Sequence, residues 1–418
     1  MLSGKVQSLV YRIYDSITDI SPTDWQRLAG SEPDLGMDPR LIRVLEETLA
    51  DQCRMWTMMV EDPTGALVAC ACLCLFLVDA LSAAAPLLRK IAGFVRTSWA
   101  NFLKFGVLFC CLPVPAGENH IRMTPEADRG AVLTAVHEGM RRLARMHHVR
   151  MMMFKEFEVA RQGEFEPLER LGYLRGDVPM AYNLPGDFRS FDEYRSALKS
   201  RYRHQIMRSV KKFQQAGFRA VHVHDSTEIE RLYTDRMHEL YEAVWSRAEA
   251  RLEKLPAEFF RQTARAFPGR TSLTIIYRGE NVAGFTFGLS SGRVYHNLRS
   301  GIDYALNDEG DLYFNLFYND LDQAFRRGHE EIHLGQDSDS FKTRLGSVPQ
   351  SLSFYLRAPN PFLQGGLKAF SPLLFPKIPG VRAHDVFKAT TKGTEGVCLD
   401  TPNPEPKSMS LRRISIPL

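Results

Sequence analysis

The stretch HLGQDSDSFKTRLGS, residues 333–347, leaves an apolar run and gathers two aspartates, three serines, a lysine and an arginine. It puts a cation, an amide and two carboxylates within a few residues of one another. Lys342 can stabilise negative charge developing on a carbonyl oxygen, and Asp337 or Asp339 can orient an amine and take its proton. Gln336 adds an amide on the same side, and Arg344 can pair with an aspartate or with a phosphate. Plainer roles stand beside these: a lysine closes a strand or helix end, and Asp339 caps the turn around Phe341 and Lys342. A polar, glycine-bearing segment directly after a buried strand is where α/β folds place sites, which favours chemistry for Lys342.

Two further stretches carry candidate residues. In RVYHNLRSG, residues 293–301, period-two alternation puts Tyr295, Asn297 and Arg299 on one face and Val294, His296 and Leu298 on the other. Facing a cleft, Tyr295 would donate a proton to a leaving group and Arg299 would bind an anion. His296, among apolar neighbours, reads as a hydrogen-bonded core histidine. From Arg195 to Lys212 there are seven Lys or Arg residues and no acidic one. Tyr194, Leu198, Tyr202, Ile206, Val210 and Phe213 recur at helical spacing as a buried row, leaving Arg201, Arg203, Arg208, Lys211 and Lys212 on the exposed faces. Solvated surfaces usually mix signs. A one-signed stripe favours an anionic partner such as tRNA, a carrier protein's acidic helix or anionic lipid.

The elements around these stretches read as α/β. Strands are expected at SLVYRIYDSI, RMWTMMVED and GALVACACLCLFLV, the last two joined by an Asp62-Pro63-Thr64-Gly65 turn, followed by a helix over about 126–147 and the strand VRMMMFKEF. The second half repeats this order: one helix through residues 190–217, the strand FRAVHVH, a helix over 226–248, then three strands separated by RGEN and SSGR turns. A helix ending at Gly328 and the strand EEIHLG close it. Two units of similar size, each an antiparallel meander followed by helix and strand, imply a duplicated architecture.

Length and composition bound the function. The 418 residues suffice for two domains, with 44% hydrophobic and 24% charged residues, the balance of a globular chain. A formal net charge of +4 is too small to imply a nucleic-acid partner without local clustering. Cys70, Cys72 and Cys74 alternate in an apolar run, so they read as small buried hydrophobes on one strand face; no zinc spacing is present, and a reducing compartment is favoured. The start shows no secretory h-region, and the longest apolar stretch, 66–78, falls short of a membrane span. The segment 85–106 is basic and amphipathic enough to touch a membrane surface.

Taken together, YDSITDISPTDWQRLAG, YRSALKSRYRHQIMRSVKKFQQAGF, RGENVAGFTFGLSSGRVYHNLRSGID and GHEEIHLGQDSDSFKTRLGS resemble the FemAB-like branch of the GNAT acyltransferase superfamily. The most specific parts are the Phe341-Lys342 pair followed by Leu345-Gly346, and the basic helix ending in AGF. The resemblance covers most of residues 9–358. It implies tandem GNAT-like domains, each a mixed, mainly antiparallel sheet flanked by helices: 1–185 and 186–358, the latter with the active site. An amphipathic extension at 359–389 and a flexible tail at 390–418 follow. It also implies transfer of an acyl or aminoacyl group to an amine, with Lys342 at the oxyanion. No tightly bound cofactor and no metal are expected; the donor, an aminoacyl-tRNA, an acyl carrier thioester or an acyl-CoA, is a co-substrate. Four carboxylates in DYALNDEGDLYFN, Asp303, Asp308, Glu309 and Asp311, stand where coenzyme A enzymes bind pyrophosphate and argue for the first two donors. A cytoplasmic location with peripheral membrane contact fits this reading. Two alternatives remain: a coenzyme A-dependent N-acetyltransferase acting on a small metabolite or lipid precursor, and a non-catalytic GNAT pair that binds membrane or polymer.

Overall fold

The computed structural model describes residues 1–6, 8–28, 34–79, 104–115, 120–248, 252–336, 339–375, 377–378 and 380–388. Asp337, most of the amphipathic segment 85–106 and the tail 390–418 lie outside them. Met1–Phe387 forms one compact unit, and of the second, Lys388–Leu418, only Lys388 is described.

The first half supplies strands β1 (Leu2–Val6), β2 (Leu9–Tyr14), β3 (Cys53–Glu61), β4 (Leu67–Asp79), β5 (Lys104–Cys110), β6 (Ile121–Met123), β7 (Met151–Glu158) and β8 (Leu174–Pro185). The second supplies β9 (Phe218–Val223), β10 (Thr271–Arg278), β11 (Asn281–Ser291), β12 (Val294–Ile302), β13 (Glu331–His333) and β14 (Val348–Arg357). They join in one sheet of 14 strands, ordered β1-β2-β3-β4-β5-β7-β14-β8-β13-β12-β11-β10-β9, with β6 on the side of β4. The duplication is plain in this order. Each half is an antiparallel meander, β2 to β5 or β9 to β12. A helix then crosses over, Arg129–Met146 or Leu312–Arg326, and a strand returns parallel to the last one, β7 on β5 or β13 on β12.

The centre of the sheet holds what the sequence pattern does not single out. β14, from the second half, inserts between β7 and β8, while β8, from the first half, inserts between β14 and β13. The expected boundary at 185 is therefore the end of a strand that pairs only with second-half strands. Both strands are irregular: β8 carries Asp177 and Pro179 in its middle, and β14 shifts register between Gln350 and Leu352. Their pairing is fixed by neighbours distant in sequence.

Local chemistry accounts for several boundaries. The Asp62–Gly65 turn forms as expected, with the Asp62 carboxylate accepting from Thr64 and Ala66 and Gly65 in the left-handed region at φ 84°. Cys70, Cys72 and Cys74 share one buried strand face with Phe76, facing the helices Pro22–Leu28 and Pro39–Thr48. Burial, chiefly, pushes the Cys70 thiol up to about 12, so it stays protonated and inert. The helix expected through 190–217 is broken into Phe191–Ala197 and Ser200–Gln215. At the break, Leu198 bridges to Phe387 and the Lys199 amide donates to the Val386 carbonyl at 2.8 Å, so a distant segment takes hydrogen bonds a continuous helix would have used. Among the described residues no helix is long and apolar enough to cross a membrane.

Candidate active site

The short helix Asp339–Arg344 is the structural meaning of the SDSFKTRLG motif. Phe341 fills an aromatic nest, its ring 4.8 Å from Phe314, 5.4 Å from Phe317 and 5.5 Å from Tyr313. Burying such a ring is worth about 2–3 kcal/mol and pins the helix to the crossover helix Leu312–Arg326. Gly346 ends it at φ 90°, where a Cβ would come within 2.7 Å of Val386 and Phe387, so the position admits no side chain. The buried Tyr194 hydroxyl donates to the Leu345 carbonyl at 2.7 Å and ties the helix end to Phe191–Ala197.

Lys342, on the same helix, does not line the pocket described below. It is only 3% exposed; its amino group donates to the Gln336 carbonyl and lies 5.6 Å from the centre of the Tyr182 ring and 6.0 Å from that of Phe317. Gln336 is held in turn, its side-chain amide donating to the Pro179 carbonyl at 2.9 Å. The parallel ladder of β12 and β13 ends at His296 and His333, immediately before this point. The lysine thus stands where the two strands stop pairing.

An open pocket of about 160 Å³ is lined by Tyr202, Arg208 and Ser209 of the basic helix, Phe314 and Tyr318 of the crossover helix, and Phe341 and Arg344. A lining that joins two arginines to aromatic side chains suits an anionic group carried on an apolar or planar body. The Arg344 guanidinium is braced by the Ser340 carbonyl at 2.6 Å. Asp311, at the pocket edge, adopts φ 49° between the helices Tyr304–Gly310 and Leu312–Arg326 and is neutralised by Lys212 at 2.6 Å.

The remaining expected residues are placed as follows. Asp339 begins the helix, and nothing further is described of its side chain. Arg201 and Arg203 lie on the basic helix outside the pocket; Arg203 donates to the Leu198 carbonyl at 3.4 Å. The expectation that Tyr295, Asn297 and Arg299 share a face fails at Arg299. β12 carries a bulge at Leu298: Asn297 pairs with Gly288, whereas Arg299 pairs with Phe287 and falls on the other face, against Glu253. Tyr295 does not face open space either. It is fully buried, and its hydroxyl donates to Asp320 at 2.7 Å, so its one proton is already committed. His296 is buried as expected, its ring 4.7 Å from that of His333.

Asp320 is the residue sequence reasoning missed. Its carboxylate accepts from Tyr295, from Thr286 at 2.8 Å, from Asn297 at 2.8 Å and from Gln323 at 3.4 Å. Burial raises its pKa, opposed by these hydrogen bonds, and burial likewise raises that of Tyr295. The signal was present in LYFNLFYNDLDQAFRRG, where Asp320 and Gln323, three residues apart, interrupt the apolar face. The network locks β11, β12 and the crossover helix together beside the end of the ladder. Among the described residues no cluster of His, Cys, Asp or Glu could hold a metal ion.

The carboxylates expected to repel pyrophosphate are mostly paired. Asp303 meets Arg236 at 2.6 Å, Glu309 meets Arg278 at 2.7 Å, and Asp311 meets Lys212. The local field is therefore far less negative than the sequence suggests.

This arrangement, an antiparallel meander, a crossover helix and a parallel strand that soon parts from its neighbour, meets an independent match. Residues 200–343 fit the family model of an acetyltransferase (GNAT) domain. Residues 200–343 thus carry a GNAT domain, and the first half repeats its order of strands and crossover helix within the same sheet. Among solved structures, the chain is similar to FemX at 12% identity and a TM-score of 0.50, covering 80% of this chain and 96% of that one. It is also similar to a tandem GNAT protein from the clavulanic acid biosynthesis pathway, at 13% identity and a TM-score of 0.48 over 84% and 99% of the two chains. A third is the C-terminal domain of a putative lysylphosphatidylglycerol synthetase from Agrobacterium fabrum, at 9% identity and 0.48 over 86% and 98%. No curated protein matches the sequence.

Proposed function

We propose that this protein transfers an acyl or aminoacyl group from a thioester or an aminoacyl-tRNA to an amine, in the manner of FemAB-like enzymes. The observation that carries the reading is the buried amino group of Lys342 at the point where β12 and β13 part, inside the segment that fits a GNAT domain. In such a transfer the neutral amine attacks the donor carbonyl and an oxyanion forms. The C–S or C–O bond to the carrier then breaks, and the amine's proton leaves to a base or to the carrier. Lys342, released from the Gln336 carbonyl, would stabilise the oxyanion; in a site that excludes water a single such donor accounts for about 10²–10³ in rate. Arg208 and Arg344 would hold the donor's anionic end, and Arg201, Arg203 and Lys211 along the same helix would extend that contact to a polyanionic carrier. Asp337 and Asp339 are the acceptor-side candidates.

An acyl-CoA donor is the second reading, favoured by the pairing of Asp303, Glu309 and Asp311 with cations, which lessens their repulsion of a pyrophosphate. One experiment separates them. The purified protein is offered, in parallel, radiolabelled acetyl-CoA, long-chain acyl-CoAs, acyl carrier thioesters and a charged tRNA pool, and binding and slow donor hydrolysis are followed for wild type and Lys342→Ala. Turnover of one donor, lost in the variant while its melting temperature holds, supports the proposal and names the donor. Failure to bind any donor overturns it in favour of a non-catalytic GNAT pair.

A further inference from the structure

We propose that the helix Pro361–Leu374 and the segment following it dock this protein on an anionic lipid bilayer. Asn360 starts the helix by accepting from the amides of Phe362 at 2.9 Å and Leu363 at 3.1 Å. One side is fastened to the sheet. Leu367 packs with Phe354, Leu356 and Ala358, while Gln364 accepts from the Ala358 amide at 2.8 Å and donates to the Gly172 carbonyl at 2.7 Å. The rest cannot turn inward. Phe362 is 92% exposed, Phe370 60% and Leu374 51%, with Leu363 and Ile378 beside them. No other described phenylalanine stands out in this way, and large apolar side chains so bare mark a surface made to be covered.

Charge selects the cover. Residues 359–384 contain Lys368, Lys377 and Arg382 and no acidic residue, and among the described residues none of the three cations meets a carboxylate at ion-pair distance. Asp385, which follows the segment, is paired with Lys199 at 2.6 Å, and Asp177 accepts from the Ile378 amide at 3.3 Å. A second copy of the chain on this face would set like charges against each other. A bilayer with anionic headgroups takes both features: the rings enter the headgroup–acyl boundary while the cations stay at the phosphate level.

The test is sedimentation of the full chain with vesicles of phosphatidylcholine alone and of equal parts phosphatidylcholine and phosphatidylglycerol, with light scattering of the free protein. Wild type is expected to partition about tenfold more strongly onto the anionic vesicles. A Phe362→Ser, Phe370→Ser variant should lose about tenfold or more of that partition with its melting curve unchanged, since neither ring is packed and Leu367 is untouched. A Lys368→Gln, Lys377→Gln variant should keep weak binding but lose the preference for anionic vesicles. Absence of partition, partition indifferent to the Phe changes, or a dimer that the Phe changes dissociate would each overturn the proposal. Donor turnover is read separately, so this surface and the transfer reaction fail independently.

Discussion

The two halves share a strand order and differ in what fills the same place. In the first, the β5–β7 ladder runs through four pairs, Val107 with Met151 to Cys110 with Phe154. Its crossover helix carries His137 as the ninth residue, buried between Tyr173 and Arg357. In the second, the ladder stops after three pairs, and the ninth residue of the crossover helix is Asp320 in its polar network. Arg357 can only donate, so His137 Nε2 accepts at 2.8 Å and its Nδ1–H donates to the Tyr173 oxygen at 2.9 Å. Since Arg357 belongs to β14, His137 fastens the exchanged strand to the first half. One copy thus braces the shared sheet, while the other keeps a pocket and a buried lysine beside a parting of strands.

The sharpest way to break this division is at Lys342. Lys342→Met should lower single-turnover transfer by about 10²–10³ with little change in melting, whereas His137→Gln should leave transfer intact and act on stability alone. Next comes Asp320→Ala, which leaves Tyr295, Thr286 and Asn297 without their acceptor; urea unfolding should show a loss of about 3 kcal/mol, with Asp320→Asn recovering most of it. Acid distinguishes the halves again. Burial, chiefly, holds the His137 pKa down to about 4, below its unfolded value of 6.5. Between those values the unfolded chain binds the extra proton, so stability is full above about pH 6.5 and falls as the pH drops towards 4, by at most about 3 kcal/mol from this residue. Unfolding free energies across that window should show the slope, and His137→Gln should flatten it. The smallest effect is expected at the pocket. Arg208→Gln or Arg344→Gln should weaken donor binding about tenfold, near 1.4 kcal/mol, without moving the melting temperature.

Much of this was legible in the residues themselves, because periodicity and turn chemistry act over short spans. The alternation of Cys70, Cys72 and Cys74, the Asp62–Gly65 turn, the β10–β12 meander and the helix ending at Gly328 each follow from side chains within a dozen positions of one another. Phe341, Lys342, Leu345 and Gly346 announced a special segment, and the basic row of 195–212 announced its partner helix. What the residues could not say was which side of the segment each would occupy: Phe341 and Arg344 face the pocket, and Lys342 faces Gln336 and Tyr182.

The sequence by itself determined the repeated order of strands and helices, the buried cysteine face and the concentration of cations on one helix, since these depend on local spacing and composition. Tertiary structure alone decided the exchange of β8 and β14, the break at Leu198, the bulge that sends Arg299 to the far face, and the gathering of Tyr295, Thr286 and Asn297 around Asp320. Each of these is settled by hydrogen bonds between residues far apart in the chain. A backbone or carboxylate removed from water must find a partner wherever the fold supplies one, and that choice is made only when the distant segments meet.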